Sequence, residues 1–263
     1  MKSQPPNQLK LKVHYSNMNL HVINSNSKGN AYILQNEEEA LLIECGVNFK
    51  EIKKTLRFNL GKVNGCIMTH EHGDHSISAN DVMSAGVDLY ASEGTHKALK
   101  TNIHHRAKSM TLNKTYSIGR FKVMAFESVH DCAEPVSFII YHPKCGTTLF
   151  ITDSVYTPFT FQNLNHVIIE ANYCNEALNE RLKLGTSPVF LRDRVIQSHM
   201  SLQTCKEVLK ANDLSNVSNI LLIHLSDGNS DESRFKREIE QQTGKMVYIA
   251  KPNLVVNFSK NIF

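Results

Sequence analysis

Short apolar runs alternate with polar, turn-rich segments near the start of the chain. Three runs separated by Asn24–Asn30 and Gln35–Glu39 predict neighbouring strands at Leu20–Ile23, Ala31–Leu34 and Ala40–Glu44. The Asn24–Asn30 segment is interpreted as a plain turn, with a polar rim over a site as the alternative. Apolar residues at helical spacing then predict an amphipathic helix over Phe49–Phe58.

The pattern continues as alternating strand and helix. An apolar run at Gly65–Met68 precedes a helix-like run at Ser76–Ala85. Val87–Ala91 predicts a strand, and Ser92 has the position of an N-cap for the short helix after it. The middle of the chain then consists of consecutive strand patterns, which predict a second sheet: Lys108–Leu112, Phe121–Phe126, Val136–Tyr141 and Thr147–Ile151.

The last third returns to alternating elements. Val167–Glu170 predicts a buried strand, and Asn175–Asn212 is mostly helical, with helix starts at Ser187–Pro188 and at His199–Ser201. The remaining elements are a strand, a charged helix and a last strand: Ile220–His224, Asp231–Gln242 and Met246–Ala250. Two sheets sandwiched between helices account for this order, so we predict an α/β fold.

Length and composition favour one globular domain. A chain of 263 residues with 41% hydrophobic content can bury one large core, and no repeat, linker or low-complexity segment divides it. We predict a disordered lead-in at residues 1–10 and a single domain over residues 11–263. The polar start and the absence of a long apolar run predict a cytoplasmic protein with no membrane contact. Six scattered cysteines fit reduced thiols.

The net charge restricts the class of partner. Lys and Arg total 29 against 25 acidic residues, giving a formal charge of +4. A protein that tracks long nucleic acid usually carries a stronger basic stripe, so a small anionic substrate fits at least as well.

The segment from His70 to His75 carries four possible metal ligands in six residues. Residues two apart in an extended chain point the same way, so His70 and His72 can bind one metal. Asp74 and His75 lie at the turn into the next helix and can face a second metal, as in two-metal hydrolases. A His-rich surface loop is the structural alternative, and this spacing of ligands at a strand-to-helix junction argues against it.

Three further polar residues each follow an apolar strand: His130, Asp153 and His224. A lone His or Asp at such a place is more often structural, but together with the His70–His75 segment these residues complete a ligand set. His70, His72 and His130 would hold one metal. Asp153 would bridge to a second metal held by Asp74, His75 and His224, and the metals would activate the attacking water.

We predict catalytic roles for Asp74 and for His199, which precedes a helix start. His199 can give a proton to a leaving oxygen, or bind phosphate together with the helix N-terminus, and a capping-region histidine is its structural alternative. Glu44 is placed to orient a ligand histidine, with Asp131 and Glu134 as weaker candidates. The other histidines are interpreted as surface or structural: His14, His21, His96, His104, His105, His142 and His166.

The Thr69–His75 segment, followed by His130, Asp153 and His224, resembles the metallo-β-lactamase superfamily from about Asn19 to about Val256. The resemblance implies an αββα sandwich of two mixed β-sheets flanked by helices. It also implies two divalent metal ions, generally zinc, with manganese as an alternative. The superfamily usually has Asp where this chain has Glu44.

Asp74, His75, Asp153 and His199–Ser201 resemble the phosphodiesterase branch related to transfer-RNA 3′-processing enzymes. Within it, two subgroups compete. The His130–Val136 segment and the Ser25–Asn30 loop resemble bacterial single-strand exonucleases of the WalJ/YycJ type. The ending His224–Ser230, with Ile43–Val47, resembles anti-Pycsar phosphodiesterases, which open cyclic nucleotide defence signals.

We rank the anti-Pycsar resemblance first. It implies a homodimer that hydrolyses 3′,5′-cyclic nucleotides, such as cyclic CMP and cyclic UMP, to monophosphates, with nucleic acid as a less favoured partner. The first alternative is a 5′-to-3′ exonuclease acting on single-stranded DNA. The second is a protein that sequesters a nucleotide without catalysis, and the complete ligand set argues against it.

Overall fold

Two β-sheets face each other across a shared apolar core in this computed structural model, which describes residues 17–185 and 189–260. The strands of the first sheet are β1 (Asn19–Asn26), β2 (Gly29–Gln35), β3 (Ala40–Ile43), β4 (Val63–Ile67), β5 (Leu89–Ser92), β6 (Ala107–Met110) and β14 (Val255–Asn257). Their order across the sheet is β14-β1-β2-β3-β4-β5-β6. Pairing is antiparallel from β14 to β3 and parallel from β3 to β6.

The second sheet mirrors this mixture of strand directions. Its strands are β7 (Thr115–Ile118), β8 (Phe121–Glu127), β9 (Val136–His142), β10 (Gly146–Ile151), β11 (Leu164–Glu170), β12 (Asn219–Ile223) and β13 (Met246–Ile249). They lie in the order β13-β12-β11-β10-β9-β8-β7. Pairing is antiparallel from β7 to β10 and parallel from β10 to β13.

Helices cover the outer faces of both sheets. They are α1 (Phe49–Thr55), α2 (Gly73–Ser76), α3 (Ala79–Ser84), α4 (Glu93–Ala98), α5 (Asn175–Lys183), α6 (Val189–Ser198), α7 (Leu202–Ala211) and α8 (Glu232–Thr243), with a 3₁₀ turn at Leu60–Lys62. Side chains cap α4 and α7, since Ser92 and Ser201 accept hydrogen bonds from the N–H groups of Thr95 and Thr204. Among the described residues, no helix has the length and hydrophobicity needed to cross a bilayer.

The alternation of buried residues along the strands builds the layers. On β3, Leu41 packs in the core between the sheets, whereas Leu42 packs under the helices of the first sheet. On β12, Leu221 faces the inner core and Leu222 packs with α7 and α8. Successive strand residues point to opposite faces, so a fully apolar strand contributes to two cores at once. The predicted αββα sandwich is therefore confirmed.

Two predicted elements are wrong in detail. Lys108–Leu112 was expected in the second sheet, but β6 pairs in parallel with β5 and forms the edge of the first sheet. The single helix predicted at Ser76–Ala85 is divided into α2 and α3. The division occurs at Ser78, whose N–H donates to Cys45 O and whose Oγ donates to Val47 O, so it leaves the helical hydrogen-bond ladder.

Other differences concern short or edge elements. The strands β7 and β14 were not predicted, because edge strands of three or four residues carry little apolar pattern. The predicted turn at Asn24–Asn30 is mostly strand, since β1 runs to Asn26 and β2 begins at Gly29. The predicted lead-in at residues 1–10 and the helix start at Ser187–Pro188 lie outside the described residues. The single-domain assignment stays a prediction.

Candidate metal centre

The predicted metal ligands gather at one edge of the sandwich, where β4, β8, β10 and β12 end. The structure brings all of them together, in two adjacent groups: His70, His72 and His130; and Asp74, His75, Asp153 and His224. The apolar strands bury their side chains in the two sheets, which leaves the first polar residues after each strand at the edge. Neighbouring strands that end at one edge therefore collect ligands from distant parts of the sequence.

The backbone turns sharply at three positions in and beside these groups. Glu44, Asp153 and His224 have φ values of 61°, 47° and 53°, in the left-handed region that residues with a Cβ rarely adopt. Each follows the end of a strand, and each side chain is buried. Such strain persists where the surrounding structure fixes it, and it concentrates at functional sites.

Three imidazoles form the first group. His72 Nδ1 lies 3.1 Å from His70 Nε2 and 3.1 Å from His130 Nε2. Ligand nitrogens around a tetrahedral zinc ion lie about 3.3–3.4 Å apart, given Zn–N bonds of about 2.0–2.1 Å. Two of these rings are oriented through the nitrogen that faces away from the group. His130 Nδ1 donates to Ser198 O at 2.7 Å, and His70 Nδ1 pairs with Thr69 Oγ1 at 2.9 Å.

Two carboxylates and two imidazoles form the second group. Asp74 Oδ2 lies 3.5 Å from His75 Nε2 and 3.5 Å from His224 Nε2. Asp74 and His75 come from α2, which begins directly after the His70–His72 segment. One short helix thus connects the two groups through the chain.

Asp153 connects the two groups in space. Its Oδ2 lies 3.3 Å from His75 Nε2 in the second group. The same oxygen lies 3.6 Å from His130 Nε2 and 3.7 Å from His70 Nε2 in the first group. A single carboxylate within reach of both groups is the arrangement that a bridging ligand requires.

The donor set fits divalent metal ions. His224 Nε2 is buried and has no hydrogen-bond partner among the described residues, although it faces the Asp74 carboxylate. A buried imidazole nitrogen without a partner is costly unless something binds it. Imidazole and carboxylate donors suit zinc, manganese or iron, so these residues could hold metal ions without selecting one.

The charges of the second group also favour the binding of a divalent metal ion. Burial lowers the pKa of His75, but Asp153 and the other carboxylates outweigh it and raise that pKa well above its usual value. Burial likewise opposes protonation of His224, yet Asp153, Asp74 and Glu170 raise its pKa to about 10. Without metal, the carboxylates therefore hold both imidazoles as cations. A divalent ion would replace these protons and satisfy the same negative charge.

In the first group, the pKa values of two histidines are lowered rather than raised. Burial lowers the pKa of His70 well below its usual value, and the neighbouring His75 lowers it further. Burial also lowers the pKa of His130. Neutral imidazoles have free lone pairs, so His70 and His130 can bind a metal without losing protons first.

Glu170 is a site residue that the sequence reasoning missed. This carboxylate is fully buried, and its Oε1 lies 2.8 Å from His199 Nδ1 and 3.0 Å from His224 Nδ1. Its Oε2 accepts the backbone N–H groups of Ser154 and Met200. The signal was present, because Glu170 is the polar last residue of the apolar strand β11, and Asp153 and His224 likewise stand at the ends of apolar strands.

His199 lies at the open side of the metal groups. Its ring centroid is 5.2 Å from that of His224 and 5.6 Å from that of His130. Burial lowers the pKa of His199, but the Glu170 carboxylate outweighs it and the pKa is raised. Glu170 therefore favours the protonated form of His199 beside the predicted metal ligands, and the His199 ring lines the cavity above them.

The β1–β2 hairpin, interpreted as a plain turn, also contacts the site. Ser25 Oγ accepts the backbone N–H of His224 at 3.0 Å. Asn30 is fully buried, and its Nδ2 lies 3.1 Å from His75 Nε2 and 3.4 Å from Asp74 Oδ2. The alternative interpretation of this segment, a polar element over a site, is the better description.

The three residues predicted to orient ligand histidines differ in what they contact. Glu44 Oε2 lies 3.5 Å from His75 Nδ1, as the prediction requires, and both side chains are buried. Asp131 Oδ1 lies 3.4 Å from His130 Nε2 but is half exposed. The prediction for Glu134 is wrong, because its carboxylate accepts the N–H of Gly94 at 2.6 Å, at the start of α4.

A cavity of about 540 Å³ opens above the metal groups. His72, Asp74, His130, Asp153 and His224 form its floor, and His199 lies on its side. One wall comes from α5 and α6, with basic and apolar side chains: Leu178, Arg181, Leu191, Arg192, Arg194 and Val195. A substrate in this cavity would contact the predicted ligands and His199 together.

This fold is shared with known proteins. Residues 39–225 match the family described as Beta-lactamase superfamily domain, so the chain belongs to the metallo-β-lactamase superfamily. With its groups of His and Asp able to hold metal ions, it is a metallo-hydrolase of that superfamily.

Two relatives of this chain are named as exodeoxyribonucleases. The chain is 27% identical to Exodeoxyribonuclease YycJ of Bacillus anthracis over 241 residues, covering 85% of this chain and 89% of the relative. It is 26% identical to Exodeoxyribonuclease WalJ of Streptococcus pneumoniae over 226 residues, covering 80% and 82%. Among solved structures, the metallo-β-lactamase fold protein YhfI of Bacillus subtilis has a TM-score of 0.69 at 16% identity, covering 91% of this chain and 99% of that one.

Proposed function

We propose that this protein is a metal-dependent exonuclease that removes nucleotides from the 5′ end of single-stranded DNA. The observation that carries the proposal is Asp153, whose one oxygen reaches both ligand groups beneath a cavity that is open to solvent. Two relatives named as exodeoxyribonucleases support the substrate class, because they align over at least four fifths of this chain and of their own lengths.

The residues around the cavity have separable tasks in this reaction. When bound, two divalent ions lower the pKa of water and neutralise charge on a phosphoryl group. One ion would be held by His70, His72 and His130. The other ion would be held by Asp74, His75 and His224, and Asp153 would bind both ions.

His199 supplies the proton. Hydrolysis forms a bond from water oxygen to phosphorus and breaks the bond from phosphorus to the 3′ oxygen of the terminal nucleotide. The Glu170 carboxylate raises the pKa of His199 and favours its protonated form, so His199 can donate a proton to that leaving oxygen. The shortened strand keeps a 5′-phosphate and is a substrate for the next cycle.

A cyclic mononucleotide is the second candidate substrate, and it ranked first on sequence resemblance. The cavity volume of about 540 Å³ lies within the range typical of small-ligand pockets. Cleavage of the bond from phosphorus to the 3′ oxygen would convert a 3′,5′-cyclic nucleotide to its 5′-monophosphate with the same catalytic groups. This activity, the role against Pycsar signalling and the homodimer all stay predictions.

One assay separates the candidates. Purified protein with zinc or manganese is given cyclic CMP, cyclic AMP and a 5′-phosphorylated oligonucleotide in parallel, with Asp153→Asn as the inactive control. We expect the wild-type protein to shorten the oligonucleotide from its 5′ end and the variant to leave it intact. Turnover of the cyclic nucleotides alone would overturn the exonuclease proposal. Tight nucleotide binding without turnover would instead indicate a sequestering protein.

A further inference from the structure

Helix α6 forms a wall that starts at the metal ligands and runs outwards. At its C-terminal end, Ser198 O accepts the Nδ1 hydrogen of His130 at 2.7 Å, which fixes the helix to the first ligand group. Leu191, Arg194 and Val195 lie seven, four and three positions before Ser198, the spacing of one helical face, and all four line the cavity. At 1.5 Å per residue, this face extends about 10 Å away from His130.

Arginines make the wall basic. Arg194 is largely exposed, and its Nε lies 3.9 Å from Asp131 Oδ2, so only a weak ion pair holds it. Arg192 also lines the cavity, with its Nη1 3.1 Å from Asp193 Oδ1. Guanidinium groups bind phosphate oxygens in a bidentate geometry, and neither arginine is needed by the ligand groups.

Apolar side chains at the outer end of α6 face solvent. Val189 is 55% exposed and Phe190 is 68% exposed. Phe190 lies four residues before Arg194, so the two side chains lie on the same side of the helix. Proteins that bind single strands combine a basic groove with aromatic side chains on which bases stack.

We infer that the outer half of α6 is a binding surface for the single strand that follows the scissile phosphate, with Arg192 and Arg194 on the backbone and Phe190 against a base. This inference rests on the proposed exonuclease function. The charge of the wall and its continuity with the cavity favour a nucleic acid strand over a second copy of the chain as the occupant.

The strand surface is tested by binding. Full-length Asp153→Asn protein, in which we expect turnover to be lost, is titrated with a fluorescent 5′-phosphorylated oligothymidylate of twelve residues at several salt concentrations. Arg192→Ala and Arg194→Ala should each reduce the slope of log affinity against log salt by about 0.7, the value for one phosphate contact on a single strand. Phe190→Ala should weaken binding between about fivefold and about a hundredfold without changing the slope.

Matched controls lie at the opposite edge of the sandwich. Phe58 is also 68% exposed, and it precedes β4, whose other end leads to His70. Lys245 precedes β13, which runs parallel to β12 and therefore starts far from His224. Phe58→Ala and Lys245→Ala should leave affinity and salt slope unchanged. Equal effects in the controls and in the α6 variants would overturn the inference.

Two results distinguish this inference from the proposed function. If the wild-type protein degrades the oligonucleotide while the α6 variants bind and cleave it normally, the strand surface is wrong and the exonuclease stands. If the wild-type protein binds the strand with an arginine-dependent salt slope but never cleaves it, the exonuclease is wrong and the surface stands. A dimer that becomes a monomer in Phe190→Ala, with strand binding unchanged, would assign the apolar face to a second copy and overturn the inference.

Discussion

The Glu170 carboxylate lies 2.8 Å from His199 Nδ1, and the same oxygen lies 3.0 Å from His224 Nδ1. One buried acid therefore orients a predicted metal ligand and the predicted proton donor together. Because the other Glu170 oxygen accepts two backbone N–H groups, the carboxylate cannot rotate away from either ring.

Replacing Glu170 by Gln should lower the metal affinity of the second ligand group. The amide must keep its oxygen toward the N–H groups of Ser154 and Met200, so its NH₂ would face both imidazoles. That favours a proton on His224 Nε2, the atom that would bind metal. Loss of such an orienting partner typically costs ten- to a hundredfold in affinity or activity. Zinc competition against a chelating dye measures it, and unchanged affinity with unchanged turnover would refute the role.

Asn30 offers a second test of how the hairpin supports the site. Its Nδ2 lies 3.4 Å from Asp74 Oδ2 and 3.3 Å from Asp74 O. Asn30→Ala removes these contacts, so Asp74 should be less well fixed and metal affinity should fall by about tenfold. Isothermal titration with zinc measures the change. Asn24→Ala in the same hairpin is the control, and an equal loss there would mean that only the fold of the hairpin had changed.

Glu39 supports the fold at the end of β3 remote from the site. It accepts hydrogen bonds from Asn64 and His142 at 2.9 Å and from Arg120 Nε at 2.5 Å, which joins the two sheets. Because bonds to a charged acceptor are lost, Glu39→Gln should lower the free energy of unfolding by about 1–2 kcal/mol at neutral pH. Metal affinity should not change, so this variant is also the matched control for Glu170→Gln.

The pH dependence of that loss has a definite sign. Burial raises the pKa of Glu39, but hydrogen bonds from His142 and Arg120 outweigh it, so the folded pKa lies below the usual value of about 4.5. Stabilisation by Glu39 is therefore complete above pH 4.5 and is lost as the pH falls through the folded pKa. Urea unfolding should show the gap between wild type and Glu39→Gln closing at acid pH. A gap that widens on acidification would contradict this account.

The ligand set was predictable because each ligand has a local signal. His70 and His72 follow a strand at alternate positions, and Asp153 and His224 each stand at the end of an apolar run. Glu170 has the same placement but was interpreted only as part of its strand. Its role appears only when β11 is seen to lie between β10 and β12, which brings Glu170 between Asp153 and His224.

Other features depend on packing that no local pattern encodes. The strand β6 directly precedes the strands of the second sheet in the chain, and only its parallel pairing with β5 assigns it to the first sheet. The Asn30 amide looks like any turn residue until β2 is placed against α2. The face of α6 that lines the cavity has little amphipathic pattern, because arginines and apolar residues alternate on it.

The central claim is that Asp153 connects two metal sites. The most direct test is the number of zinc ions bound per chain. Wild-type protein and Asp153→Asn are each equilibrated with zinc by dialysis, and the zinc content per chain is measured. Circular dichroism checks that the variant is folded. We expect about two zinc ions per wild-type chain and about one or fewer in the variant, because both sites lose a ligand. A single zinc ion in the wild-type protein, or two tightly held ions in the folded variant, would contradict the account.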